Sequence, residues 1–210
     1  VLLASAGLLT RSFAAYLAWE PGFDRGSLLA VSAFVNTAKY DSRASLYSMW
    51  RQAEEQVAAL PGVASVATAS AGPLFGGGDG ATPYVPEGRE PAGELPSVRW
   101  YDVGPGYFRT LGVAVVEGRE ITEADGLDVA PVAVVNQAMA RAAWPGESAV
   151  GKRVRLTELE LELQVVGVAA DVAPLTPGAT APAEIYWSNR QMGRPATRFL
   201  VRADGDAAGL

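Results

Sequence analysis

The stretch Leu28–Ala71, LLAVSAFVNTAKYDSRASLYSMWRQAEEQVAALPGVASVATASA, decides how the rest of the chain must be arranged. Leu28–Val35 is an apolar run bounded by Gly26 and Asn36 and reads as a buried strand. Asp41 or Ser42 then caps a helix that runs to Leu60. Along it Leu46, Trp50, Ala53, Val57 and Leu60 recur at spacings of four and three, one apolar stripe, while Arg51, Gln52, Glu54 and Glu55 fall elsewhere. Pro61-Gly62 stops the helix, and Val63–Ala71 reads as a second strand. A single crossover makes the two strands parallel and leaves a one-strand gap between them. The strand expected at Phe199–Arg202 fills that gap, antiparallel to both neighbours. Closing a loop of about 130 residues to bring it there is tolerable, because the entropic cost grows only logarithmically with length. Leu28–Val35 is then a sheet edge, open to pairing with another chain.

Between these pieces the texture changes. Gly72–Gly80 and Pro83–Pro96 are rich in Gly, Pro and Glu and read as exposed loops, with a short strand at Thr82–Val85. Val98–Val103 and Val113–Glu117 read as strands around a short helix at Pro105–Leu111. Val132–Val135 is an apolar strand ending at Asn136, which caps a helix Gln137–Trp144. Val154–Leu156 and Leu161–Val168 pair across a turn at Thr157–Glu160, and Ile185–Trp187 is a further short strand.

The 210 residues are 49% hydrophobic and 19% charged, with no Cys and no His. That removes the Ser-His-Asp triad, the Cys-His pair and the disulfide, and restricts any zinc site to carboxylates. The aspartates and glutamates able to form an acid–base pair are expected in loops and turns. A formal net charge of −6 argues against a groove for nucleic-acid backbone. The composition is that of a globular protein that is not an enzyme, and no catalytic, cofactor-binding or metal-ligating residue is assigned. At the N-terminus, Arg11 interrupts the apolar run, so Val1–Trp19 is not a whole membrane span. It reads equally as the trailing end of a transmembrane helix or as an amphipathic helix packed on the domain.

Four motifs invite a functional reading. Gly146–Arg153 fits seven positions of the phosphate loop, but a helix ends before it, a strand follows, and Arg153 replaces the hydroxyl residue. A helix-ending turn, with Gly146 and Gly151 permitting tight backbone angles, is the better account. Gly76–Gly80 follows a strand but precedes no helix, as a surface loop does. Glu120, Glu123, Asp125 and Asp128 cluster like calcium ligands but without the alternate-residue spacing, and read as a solvated acidic turn. Trp100, Tyr101, Tyr107 and Phe108 read as core.

Nine short motifs occur in one order: Gly7-Leu-Leu-Thr-Arg-Ser-Phe13, Pro21-Gly-Phe-Asp24, Leu60-Pro-Gly-Val63, Gly104-Pro-Gly-Tyr-Phe-Arg-Thr-Leu-Gly112, Gly118-Arg-Glu120, Pro131-Val-Ala-Val-Val-Asn136, Trp144-Pro-Gly146, Gly151-Lys-Arg153 and Val165-Val-Gly-Val168. In that order they resemble the periplasmic core domain of MacB-like ABC transporter permeases of the FtsX superfamily, over nearly the whole chain. The resemblance implies an α+β fold in two parts. A porter-like, split ferredoxin-like part of β-α-β units would take residues 21–72 and 188–210, its second half incomplete. A mixed α+β "sabre"-like part would be inserted at 73–187. Residues 1–20 would be the end of the first transmembrane helix. Ala170-Asp171 stands where Gly-Asp is frequent, which puts a special turn there in doubt.

The resemblance also implies a place and a role. The domain would face the periplasm from the cell inner membrane, held by its flanking helices. It would couple ATP hydrolysis in a separate or fused ATP-binding subunit to export, working with a second permease copy and a periplasmic adaptor. The alternative is a regulatory or scaffold domain controlling a cell-wall hydrolase. No cofactor and no nucleic acid are implied.

Overall fold

The computed structural model describes residues 26–36, 39–40, 42–70, 80–89, 93–173, 179–192 and 196–205. The N-terminal segment and Gly76–Asp79 therefore lie outside the described residues. The first strand β1 (Leu28–Phe34), helix α1 (Arg43–Ala58) and strand β2 (Val63–Ala69) follow the expected order, and the last strand β10 (Ala196–Ala203) lies between β1 and β2. β10 is antiparallel to both, with Leu29 opposite Val201 on one side and Ala67 opposite Leu200 on the other. Of the two expected caps, Ser42 serves: its hydroxyl accepts from Ser45 N at 3.1 Å and Ser45 Oγ accepts from Ser42 N at 3.3 Å. This reciprocal cap satisfies two otherwise unpaired amides, and such a cap contributes about 1 kcal/mol. α1 packs Trp50 edge-on against Phe199, ring centroids 5.9 Å apart, on one face of the three strands.

The middle of the chain does something its composition did not announce. Strands β3 (Gly80–Pro86), β4 (Ser97–Val103), β6 (Val132–Asn136), β7 (Arg153–Leu156), β8 (Leu161–Ala169) and β9 (Glu184–Ser188) pair in the order β4-β3-β7-β8-β6-β9, and β9 then pairs back onto β4. The pairing closes on itself into a six-stranded ring. The short strand expected at Thr82–Val85 is present and longer than expected: β3 is a full ring strand, with Thr82, Tyr84 and Pro86 buried. Proline cannot donate to a ladder. Here Pro83 contributes its carbonyl instead, accepting from Thr157 N at 3.0 Å and Thr157 Oγ1 at 3.2 Å.

Every ring strand sends residues into one buried cluster, among them Tyr84, Trp100, Val135, Leu156, Leu163 and Trp187. Helix α3 (Gln137–Ala143) adds Met139 and Ala143 to it. It is capped by Asn136 as expected, through Met139 N at 2.9 Å. Asp171 supports the same turn, accepting from Ala138 N at 2.7 Å and pairing with Arg141 at 2.7 Å.

The outer faces of β4, β6 and β9 present Tyr101, Val134 and Tyr186. These meet Ala67 and Ala69 of β2, Leu200 of β10 and the short helix α2 (Tyr107–Leu111) in a second core that joins the ring to the arm, the unit formed by β1, α1, β2 and β10. The arm meets the ring's backbone at Ala69 opposite Val103. Strand β5 (Val115–Gly118) runs along β8. A Cβ on Gly118, which has φ +67°, would lie 2.2 Å from Val166 O, and one on Gly167 would lie 2.2 Å from Arg119 O. Two backbones touch there, so neither position admits a side chain.

Candidate coupling site

Three parts of the chain converge on one arginine. Arg190 sits in helix α4 (Asn189–Met192), directly after β9 and before the chain returns to the arm, and is 2% exposed. Its guanidinium pairs with the Glu54 carboxylate of α1 and, at 3.0 Å, with Glu123 Oε1 of the segment after β5. It also lies over the Tyr47 ring, 5.5 Å from the centroid. Thr68 of β2 donates its hydroxyl to Glu54 Oε1 at 2.5 Å, and Asn189 Nδ2 donates to Thr68 Oγ1 at 2.8 Å. The network therefore joins α1 and β2 of the arm to the 119–128 segment of the ring through α4, where the chain returns to the arm. Gly104, at the end of β4, leaves room for it: a Cβ there would stand 2.6 Å from Thr68 Oγ1 and 3.2 Å from Glu54 Oε1.

Burial sets the electrostatics. Desolvation pushes the Glu54 carboxyl above its ordinary range, against the pull of Arg190 and of the Thr68 hydrogen bond. Burial acts to lower Arg190, but pairing with Glu54 and Glu123 outweighs it, so the guanidinium stays charged. Next to this network Asp125 is buried. Burial alone would raise its carboxyl. The hydrogen bonds from Arg119, at 2.7 and 2.9 Å, and from Thr122 hold it below the ordinary range.

A second buried carboxylate lies on the ring's outer face. Glu184 accepts from Tyr101 Oη at 2.9 Å and from Tyr186 Oη at 2.6 Å, and its backbone N–H donates to Asn136 Oδ1 at 2.9 Å. Desolvation raises its carboxyl despite both tyrosine hydrogen bonds. The two tyrosines stack with centroids 5.0 Å apart, and burial raises both hydroxyls.

These facts revise two expectations. Buried titratable carboxylates are not confined to loops, since Glu54 lies in α1 and Glu184 in β9. The acidic turn is not wholly solvated: Asp125 is buried in a fork with Arg119, and Glu123 pairs with buried Arg190. Glu54, set apart from the apolar stripe in the sequence, is buried with Leu46 and Trp50, from which it stands eight and four residues on, a spacing that was the available signal. Arg190 and Asn189 had none.

The other motifs resolve structurally. Gly146 and Gly151 adopt φ of 80° and 88° in the turn between α3 and β7. The amides that would cradle a phosphate are already used, Gly151 N on Val165 O at 2.8 Å and Lys152 N on Ala149 O at 3.1 Å, while Lys152 Nζ holds Glu147 at 2.8 Å. Trp100, Tyr101, Tyr107 and Phe108 are all buried. Trp100 stacks on Trp187 at 4.7 Å, and Tyr107 meets Phe108 edge-on at 5.2 Å. Among the described residues no group of three or more Asp or Glu could hold a metal ion, and no helix is long and apolar enough to cross a membrane.

The fold is similar to two solved structures. The periplasmic region of MacB from Actinobacillus actinomycetemcomitans matches with a TM-score of 0.57 at 16% identity, covering 92% of this chain and 83% of that one. The extracellular domain of the noncanonic ABC-type transporter YknZ from Gram-positive bacteria matches with a TM-score of 0.52 at 16% identity, covering 74% and 73%. No curated protein matches the sequence. The sequence profile of the MacB-like periplasmic core domain, in contrast, matches residues 15–208, and on that match the chain belongs to the MacB-like periplasmic core domain family.

Proposed function

We propose that this chain is the extracytoplasmic domain of an ABC transporter permease and does mechanical rather than chemical work. The family match across residues 15–208 and the likeness in fold to a MacB periplasmic region and a YknZ extracellular domain support the reading. In it the domain faces the periplasm at the inner membrane, an ATP-binding subunit hydrolyses ATP in the cytoplasm, and a second permease copy and a periplasmic adaptor complete the assembly. The arm (21–72 and 188–210) receives the motion, and the inserted part (73–187) presents it outward as export work.

The observation that carries this is the Arg190 network. It lies where the inserted segment rejoins the arm and ties both to one buried charge. Breaking a buried pair by removing one partner costs about 3–5 kcal/mol, so ring and arm move together unless the network opens.

The test uses the full permease with its ATP-binding subunit in proteoliposomes. Spin labels at exposed Ser48 on α1 and exposed Gln164 on β8 report the distance between arm and ring. A narrow distance that stays narrow through the nucleotide cycle, and broadens in Arg190→Ala together with loss of coupled periplasmic motion, is expected. Unchanged coupling in Arg190→Ala would count against the reading.

A further inference from the structure

A cavity of about 480 Å³ opens between α1 and the ring. Its lining includes Leu127 and Val129 before β6, Leu159 at the β7–β8 turn, Trp187 of β9, Gln191 of α4 and Arg43 at the start of α1. Leu127, Val129 and Leu159 are 39%, 47% and 43% exposed, so three large aliphatic side chains face solvent around one concavity. Apolar side chains exposed singly need no explanation, whereas a converging set in a concave site marks a binding surface.

The polar lining narrows the ligand. Gln191 is spent on backbone, accepting from Val132 N at 3.3 Å and donating to Ala130 O at 3.2 Å. Arg43 lines the same cavity and makes no ion pair among the described residues. The exposed carboxylates of Asp128, Glu158 and Glu160 neighbour the lining residues in sequence without belonging to the lining. They disfavour a ligand carrying several negative charges. Behind the wall the Trp187 indole N–H is buried with no acceptor among the described residues, a donor that a ligand's acceptor reaches only if the wall shifts.

We propose that this cavity binds a small amphipathic monoanion, its apolar body against Leu127, Val129 and Leu159 and its single carboxylate or sulfonate on Arg43. The volume falls in the range of about 300–1,000 Å³ in which small-molecule sites lie. Because Arg43 belongs to the arm and the aliphatic residues to the ring, the bound ligand bridges the two. The site stands on its own lining and does not depend on the transporter reading.

Fluorescence titration of the 210-residue chain with anilinonaphthalene sulfonate tests it, beside the uncharged phenylnaphthylamine and the cation tetraphenylphosphonium. Expected is saturable binding of one sulfonate probe per chain, about tenfold tighter than the neutral probe, the factor one charge-assisted contact supplies. Arg43→Ala should erase that preference, and Leu159→Asp should abolish saturable binding. Both substitutions are at exposed positions, and circular dichroism verifies the fold. Absence of saturable binding, binding indifferent to Leu159→Asp, or equal or tighter binding of the neutral or cationic probe overturns the proposal.

Discussion

The ring and the arm solve the same problem, burying a sheet, in opposite ways. The ring has no edge: six strands pair around and fill their own interior with Tyr84, Trp100, Trp187 and their neighbours. The arm has three strands and one helix. Its outer strand β1 has no second partner among the described residues, and on it Leu29, Val31 and Phe34 are exposed, Phe34 at 81%. A closed sheet satisfies its backbone internally, whereas an open one leaves a row of unpaired groups and apolar side chains for something else to cover. The arm is therefore expected to be the softer half and the ring the more rigid one.

The largest expected effect breaks the ring. Trp187→Ala removes a nearly fully buried indole stacked on Trp100 and should cost about 3–5 kcal/mol, read as a lower urea midpoint. Trp50→Ala makes the same chemical change in the arm, beneath a face that is partly open, and should fall at the lower end of that range, about 3 kcal/mol. Equal or larger loss from the arm substitution would erase the contrast. Faster hydrogen exchange in β1 than in β8 would sharpen it.

Next comes the joint between them. Arg190→Ala strands the Glu54 carboxylate in a buried site and should cost about 3 kcal/mol. Adding Glu54→Gln to that variant should recover part of the loss, because the uncompensated charge is gone. If the double variant is no more stable than Arg190→Ala, the energetics lie in packing rather than in the charge.

How much of this was legible follows the same division. The arm was readable because its signals are periodic and local: the apolar run of β1, the stripe of α1, the Pro61-Gly62 stop, and the single gap that β10 fills. The ring was not, because its closure depends on the parallel pairing of β4 with β9, strands separated by two helices and four further strands. Pro83 and Pro86 also made β3 look shorter than it is, although a strand tolerates proline wherever only the carbonyl is needed. Glu54 and Asp125 misled for a related reason. A carboxylate reads as solvent-facing, and only the arrival of Arg190 or Arg119 from elsewhere makes its burial affordable. The quoted glycine motifs fared better, since Gly118 and Gly167 mark a backbone contact that no other residue type permits.

The smallest expected effect concerns pH and the outer face of the ring. Folding raises the Glu184 carboxyl above its ordinary 4.5, so the folded chain holds that proton more tightly than the unfolded one. The stability this group contributes is present below the ordinary range and is lost as pH rises through the raised value. Glu54 has the same sign, and Asp125, lowered, has the opposite one, losing its contribution as pH falls. Glu184→Gln should therefore compare better with the parent at pH 8 than at pH 5, by a few degrees in Tm, about 2–4 °C for each kcal/mol in a chain of this length. An unchanged difference between the two pH values would show that Glu184 keeps its ordinary affinity for the proton.

One consequence follows from the meeting of Thr68 with Asn189. The chain leaves the arm after β2 and returns at α4, and these two points touch, Asn189 Nδ2 lying 2.8 Å from Thr68 Oγ1. A segment whose ends meet can lengthen, shorten or be exchanged without rerouting the strands on either side, as insertions tolerated at surface points with adjacent ends do. The part of the ring that faces away from the arm is thus free to change while the three-stranded base keeps its register. That freedom stops at the contact itself, where Gly104, Thr68 and Asn189 must still fit together, and at the shared core, where Tyr101, Tyr186 and α2 pack on β2 and β10.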